Sequence, residues 1–337
     1  MRPSISIVVP LLNEQDHIAR LTSSLLGQTY PADRYEILMA DGGCTDATLE
    51  ILRDVDPEGR VRVLPNPGRT APAALNVLIA ASTGEIVTRV DGHSHVAPDY
   101  LERIVAVMEE TGESVVGGPV HMVADTPFRR ALVEALYSPF GVGSVPYRTL
   151  RRREFVESLQ TGSFRREVLD RAGPWDESLA VVEDLDMNTR IRESGYRLLL
   201  DPSIRFWYYP RPDLRALWRQ ISTVGRVKAW ILDKHPAIFK PKYVLPSVLV
   251  AALATAAVAA IAGLLAHRAA PAAVGGAVLA AYVLAIGAFA LSRVPALGAG
   301  AFRLLAIVPA LHIGYGIGFL RGALEIPGRR RRLGYRR

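Results

Sequence analysis

The sequence predicts an α/β domain, with a mostly parallel sheet and helices on both faces, followed by an α-helical membrane region. Three observations predict it. Short apolar runs alternate with amphipathic ones over the first two thirds of the chain. Two long uncharged stretches follow near the C-terminus. Charge divides the same way: residues 243–337 hold ten Arg, no Lys and one Glu, a charge of +9 against +7 for the whole chain, which leaves −2 on residues 1–242.

The strand runs are 4–10, 35–40, 61–64, 85–90 and 114–118. Between them lie helical patterns. In 99–110, Leu101, Ile104, Val105 and Met108 recur on one helical face. Thr45-Asp46 precedes a helix over 47–55, with Asp46 as its N-cap. Strand–helix alternation implies a largely parallel sheet covered on both sides. Such sheets bind ligands beyond the carboxyl ends of their strands. Polar residues stand at four of those ends: Asn13-Glu14, Asp41-Gly42-Gly43, Asn66-Pro67-Gly68-Arg69 and Asp91-Gly92-His93.

Residues 244–266 and 269–292 carry no charge over 23 and 24 positions. At about 1.5 Å per residue either crosses a hydrocarbon core of roughly 30 Å. A third run, 304–320, is interrupted by Pro309 and His312 and is marginal for a span. The excess of basic residues in cytoplasmic loops creates a conflict here. Lys234, Lys240 and Lys242 place the start of the first span inside, and two spans return the chain to Arg293 and Arg303, also inside. A third full span would leave the four arginines at 329–332 outside. Three membrane-embedded helices with the third imperfectly spanning fit best. Gly314 and Gly318 point to close helix packing. In residues 211–242, Leu214, Leu217, Trp218 and Ile221 form a stripe among arginines, which reads as an interfacial helix on anionic headgroups. The expected divisions are 1–210, 211–242, 243–325 and a basic tail at 326–337.

The basic residues flank apolar segments, so they do not form the basic face that nucleic-acid binding requires. One cysteine, Cys44, excludes a disulfide scaffold and fits a reducing compartment. No signal-peptide pattern precedes Ile5-Ser6-Ile7-Val8-Val9, and the first 240 residues are expected in the cytoplasm.

The candidate chemistry is acidic. Asp41 can accept from a nucleobase N–H or cap its own turn. Asp91 and His93 can both face one divalent cation, as a departing diphosphate requires, or form a structural pair. His95 precedes Pro98 and reads as a surface loop residue. Glu183 and Asp184 open a helix, where acids complement the dipole. Asp184 there can also take a proton from a hydroxyl.

Taken in order, Ser4 to Pro10 with Asn13-Glu14, Asp41-Gly42-Gly43-Cys44-Thr45-Asp46, Asn66-x-Gly68-Arg69 with Asn76, Asp91-x-His93, and Gly173-Pro174-Trp175-Asp176-Glu177 with Glu183-Asp184 resemble family 2 inverting glycosyltransferases with a GT-A fold, over about residues 4–235. Gly141-Val142-Gly143 through Tyr147-Arg148, Phe155-Val156-Glu157 and Gly162-Ser163-Phe164-Arg165-Arg166 look more narrowly like the succinoglycan and exopolysaccharide branch, which carries C-terminal membrane segments.

The resemblance implies that Pro10, Asn13 and Glu14 line a nucleotide pocket. Asp41 reads uracil or another base, and Arg69 neighbours the base or diphosphate. Asp91 and His93 hold Mg²⁺ or Mn²⁺. Asp184 is the base, supported by Glu183, and Gly162 and Ser163 shape the acceptor side. There are two departures. His93 stands where many members have Asp, which weakens hard-cation binding. The Gln-x-x-Arg-Trp motif of processive members is absent. The implied function is addition of one sugar from a nucleotide-sugar, a UDP-sugar, to a polyprenyl-linked saccharide in cell-surface or exopolysaccharide synthesis. Arg148, Arg226 or Lys228 would contact the acceptor phosphates. The lipid bilayer and other polysaccharide-assembly proteins would be partners, and the enzyme would be multi-pass in the cell membrane with a cytoplasmic catalytic domain. Two rivals are an enzyme that glycosylates polyprenyl phosphate itself and a nonenzymatic membrane scaffold.

Overall fold

The structure is a computed structural model that describes residues 2–141 and 151–333. It divides into two units. The first holds the described residues up to Val123 and from 151 to Tyr209, and the second holds those from Ala124 to Gly141 and from Pro210 onward. The expected block 1–210 is therefore interrupted: its residues 124–141 leave to join the C-terminal helices.

In the first unit every expected strand forms: β1 (Ile5–Leu11), β2 (Tyr35–Asp41), β3 (Val61–Pro65), β4 (Ile86–Arg89) and, after the three-residue β5 (Ser94–Val96), β6 (Val115–Gly117). Helices α1 (Ile18–Leu26), α2 (Thr48–Val55), α3 (Ala71–Ala81) and α4 (Tyr100–Thr111) lie between them. Alternate residues of a strand face opposite sides. Ile5, Ile7, Val9 and Leu11 enter one core with α1, α2 and α4, whereas Val8, Leu38 and Ala40 enter a second with α3. Ala47, not Asp46, is the N-cap of α2, but the Asp46 Oδ1 still accepts the Thr48 amide at 3.1 Å.

The main sheet runs β3-β2-β1-β4-β9-β6-β10-β8, where β8 is Glu154–Val156, β9 is Ser163–Arg165 and β10 is Leu198–Leu200. From β3 to β4 all pairs are parallel. Strand β9 is antiparallel to both β4 and β6, β8 is antiparallel to β10, and β6 pairs with β10 in parallel, so the sheet is mixed with most of its pairs parallel. These late strands are three residues long, too short for a period of two to show. Strand order reverses around β1 and β4, which opens the crevice at their carboxyl ends. Helices α6 (Arg166–Ala172) and α7 (Glu183–Glu193) add Val168, Leu169, Met187 and Ile191 to the second core.

A second sheet, β5-β11-β7, joins β11 (Phe206–Tyr208) to β7 (Val120–Met122). Its Val96, Phe206 and Val120 are buried. His95 is a strand residue in register with Trp207, its ring stacked on the indole at 5.0 Å, so it is not part of a surface loop.

The second unit contains α5 (Pro127–Tyr137), α8 (Leu214–Lys234), α9 (Leu245–Leu265), α10 (Ala269–Ser292) and α11 (Leu304–Leu333). Three stretches, Leu245–Leu265, Ala269–Ser292 and Val294–Arg332, are long and apolar enough to cross a membrane. The first two match the expected runs. The third helix continues past residue 320 to Leu333, because α8 packs along it. The packing is backbone to backbone: a Cβ at Gly318 would strike the Ser222 carbonyl, one at Gly322 the Arg226 carbonyl, and one at Gly225 the Tyr315 carbonyl. Gly318→Leu should therefore break the helix pair and abolish a monodisperse peak in detergent. Gly276→Leu, where a Cβ meets nothing within 4 Å, should leave it intact. Equal elution of the two variants would contradict this packing.

Candidate active site

The β1, β2 and β3 ends interlock. Asn13 has a left-handed φ of 55° and its Oδ1 accepts the Thr45 amide at 2.8 Å. That bond fixes the loop after β1 against the turn after β2. The Asp41 Oδ1 accepts the amides of Gly43 (3.0 Å) and Cys44 (2.8 Å), a turn that Gly43 permits with φ of 83°. Burial pushes the Asp41 carboxyl up, but those amides and the Arg69 guanidinium outweigh it and hold it below the usual carboxylate range. The turn-capping reading of Asp41 is thus realised in the geometry. Arg69, also at a positive φ, lays its exposed side chain over Gly43. Pro10, which has no N–H, stands one residue before the end of β1.

The β4 end is more densely charged. Arg89 closes the strand and is buried. Its Nε donates to Asp91 Oδ1 at 2.9 Å and its Nη2 to Glu183 Oε1 at 2.7 Å. Its Cζ lies 5.4 Å from the centre of the Trp175 ring. Asp91 and Glu183 hold the guanidinium charged against burial. Trp175 is itself fixed by Asn76: the Asn76 side chain donates to the Trp175 carbonyl at 3.0 Å and accepts its amide at 2.8 Å. The Nη1 of Arg89 and the Nε1 of Trp175 are buried without a hydrogen-bond partner among the described residues. Buried donors of this kind call for an acceptor.

The first turn of α7 carries Glu183 and Asp184. Val182 before it has a φ of 60°, a strained conformation for a β-branched residue. Glu183 is buried against Arg89, whereas Asp184 is half-buried and takes the Leu185 amide at 2.9 Å. The two acids therefore differ: one is neutralised in the interior and the other keeps access to solvent.

Comparisons with known proteins identify the family. The sequence model of Glycosyl transferase family 2 matches residues 6–173. The succinoglycan biosynthesis protein ExoA of Rhizobium meliloti (strain 1021) is 33% identical over 243 residues, covering 71% of this chain and 73% of that protein. This chain is a family 2 glycosyltransferase. A dolichyl N-acetyl-alpha-D-glucosaminyl phosphate 3-beta-D-2,3-diacetamido-2,3-dideoxy-beta-D-glucuronosyltransferase of Methanococcus voltae is 22% identical, over 68% of this chain and 74% of its own. Among solved structures, the mannosyltransferase PcManGT from Pyrobaculum calidifontis, in complex with GDP-Man and Mn²⁺, aligns with a TM-score of 0.57 at 20% identity, over 95% of this chain and 88% of its own. The glycosyltransferase unit accordingly has a GT-A-like fold.

His93 Nδ1 lies 2.9 Å from Glu14 Oε1, and the His93 ring sits edge-on to Tyr208. A carboxylate on one ring nitrogen orients the other toward a metal, the usual support for a ligating imidazole. Asp91 has committed Oδ1 to Arg89, which leaves its second oxygen as a hard donor. Asp91 and His93 thus offer a carboxylate oxygen and an imidazole nitrogen as donors. Among the described residues no group of three or more His, Cys, Asp or Glu is placed to hold a metal ion. In the metal-free protein, burial lowers the His93 pKa, but Tyr208, Glu14 and Asp91 together push it up to about 9.

A raised histidine pKa stabilises the fold through the charged form. That stability is complete below about 6.5, the free imidazole value, and is lost as pH rises through about 9. Glu14→Gln should bring the His93 midpoint, followed by NMR, clearly below that of the parent. It should also weaken Mn²⁺ binding by about 10- to 100-fold. An unmoved midpoint would show that Glu14 does not hold the ring.

Of the expected acceptor-side residues, Ser163 and Gly162 are engaged within the first unit and Arg226 belongs to the second. Ser163 is fully buried in β9 and its hydroxyl bonds Thr88 at 2.7 Å, because β9 is inserted between two interior strands. Its side chain offers nothing to an acceptor. Gly162 uses its carbonyl for the Arg89 amide at 3.0 Å and so positions that arginine. Arg226 belongs to the second unit, where its Nε pairs with Glu325 at 2.7 Å. Arg148 lies outside the described residues. Arg89 was not singled out from sequence. The available signal was a strong base ending an otherwise apolar buried strand, two residues before Asp91.

Proposed function

We propose that this glycosyltransferase adds a single sugar, with inversion, from a nucleotide-sugar to a hydroxyl of a polyprenyl-linked saccharide in cell-surface or exopolysaccharide synthesis. The observation that carries the proposal is the Asp91–Arg89–Glu183 network, which ties the donor end of the site to the acids at the start of α7. Asp184 removes the acceptor hydroxyl proton. The hydroxyl oxygen bonds to the anomeric carbon as the bond to the diphosphate oxygen breaks, and the nucleoside diphosphate leaves with the electron pair. A divalent ion held by Asp91 and His93 would supply positive charge to that leaving group. Asn13, Glu14, Pro10, Asp41 and Arg69 line the nucleotide side, with uracil as the base proposed for Asp41. The partly open Asp184 favours a neutral hydroxyl acceptor, since a polyprenyl phosphate is already an anion and needs no base. The name of the R. meliloti relative supports the polysaccharide context, and that of the M. voltae relative supports a lipid-linked acceptor. The enzyme sits in the cell membrane with its catalytic unit on the cytoplasmic face.

The test incubates purified membranes with a panel of radiolabelled UDP- and GDP-sugars and analyses the lipid product after mild acid. A glycan linkage that survives mild acid, made from one donor, is expected. An acid-labile phosphate-linked sugar would replace this reading with polyprenyl-phosphate glycosylation. No turnover with any donor and metal would point to a scaffold.

A further inference from the structure

We propose that α11 does not cross the bilayer: it rests with α8 in the membrane surface on the side that bears the catalytic unit, so the chain crosses twice. This rests on reading α9 and α10 as spans.

The argument begins with α8. It carries Arg215, Arg219, Arg226, Lys228, Asp233 and Lys234, too many charges for a span. It starts just after Tyr209, the last residue of the catalytic unit, and ends before the first turn of α9. Both its ends therefore lie on the catalytic side. Helix α11 then lies along it, in the same direction and in step. Gly314 meets Ile221, Gly318 meets Ser222 and Gly322 meets Arg226. Farther along, Glu325 pairs with Arg226, the Arg329 guanidinium stacks on Trp230 at 4.2 Å, and Arg330 Nε bonds Asp233 at 2.9 Å. From 314 to 330 α11 is thus held to a helix that does not cross. Residues 304–313 precede these contacts and make up ~15 Å of helix, about half the hydrocarbon core.

Two further contacts join α11 to the start of α9. A Cβ at Gly316 would meet the Pro246 carbonyl at 2.5 Å, and the Ser247 hydroxyl donates to the Gly316 carbonyl at 3.3 Å. Pro246 and Ser247 belong to the first turn of α9, the end on the catalytic side. At the other boundary, Arg293 after α10 pairs with Glu134 of α5 at 3.0 Å. Helix α5 belongs to the segment that departs from the catalytic unit at Val123. The conflict over basic residues disappears in this arrangement: Lys234, Lys240, Lys242, Arg293, Arg303 and the arginines at 329–332 all share one side. The occupant of the outer face of the pair is the lipid leaflet. Leu214 and Trp218 on α8 and Leu320 and Leu324 on α11 are exposed large apolar residues, and Arg215 and Arg219 stand beside the first two, an interfacial pattern.

The full chain with Cys44→Ala, carrying one new cysteine at a time, decides this. His267→Cys lies between the two spans and Arg331→Cys in the last turn of α11. A membrane-impermeant maleimide on intact cells should label His267→Cys. Arg331→Cys should react only after permeabilisation. Labelling of Arg331→Cys in intact cells overturns the proposal in favour of three spans. Failure to label His267→Cys, with release of the protein by alkaline carbonate, overturns the reading of the spans themselves. A nitroxide on Trp218→Cys in vesicles should be shielded from a water-soluble relaxation agent, and full exposure to it would remove the leaflet contact.

Discussion

Asp184→Asn is expected to lower the rate of sugar transfer by about 10²- to 10⁴-fold while donor affinity, measured by calorimetry, stays near that of the parent. Two observations support the choice of this acid. Glu183 is buried and its Oε1 accepts from the Arg89 guanidinium at 2.7 Å, so it is shut away from an acceptor. Asp184 is half-buried at a helix start whose preceding residue, Val182, is held at a strained φ of 60°. Strain of this kind persists where the surroundings enforce it and is concentrated at functional sites. The amide replacement preserves the size of the side chain and removes only its basicity. A turnover within a factor of three of the parent would remove Asp184 from the mechanism. Loss of donor binding would show that the residue serves the nucleotide side instead.

The largest stability effect should come from Arg89→Met. The methionine fills the space but leaves Asp91 and Glu183 as buried carboxylates without their counter-charge. Removing one member of a buried ionic network costs about 3–5 kcal/mol. For a unit of this size that lowers the melting temperature by roughly 10 °C. Arg89→Lys should recover little, because a single ammonium cannot reproduce the two-pronged contact. Adding Glu183→Gln to Arg89→Met should restore part of the stability, since one stranded charge is removed. Scanning fluorimetry of the detergent-solubilised protein measures all three. A melting temperature for Arg89→Met within 2 °C of the parent would mean that the network contributes little to folding.

Local pattern accounted for much of what proved correct in the fold. The five expected strands were visible because each is a short apolar run bounded by turn residues, and α4 because its apolar positions repeat on one face. Gly314 and Gly318 pointed correctly to tight helix packing, though not to the partner. Strands β8 to β11 were invisible: three residues cannot display a period, and their membership depends on strands far away in sequence. The same reason hid the antiparallel insertion of β9, and with it the burial of Ser163.

The sequence by itself determined the two-part organisation, the family and the types of chemical group at the strand ends. Charge distribution, apolar run length and residue type are local properties, and they carry that information without reference to any contact. Only the tertiary structure decided how those groups are used. Arg89 and Glu183 are 94 residues apart in the chain, yet they share one bond that joins the two halves of the candidate site. Asp233 and Arg330, 97 residues apart, bring the end of α11 back to the end of α8. Charge counting posed the question of the third helix but does not show which helix packs along its length. Long-range pairing of charges in a buried or packed setting is set by the whole fold, and a one-dimensional pattern does not encode it.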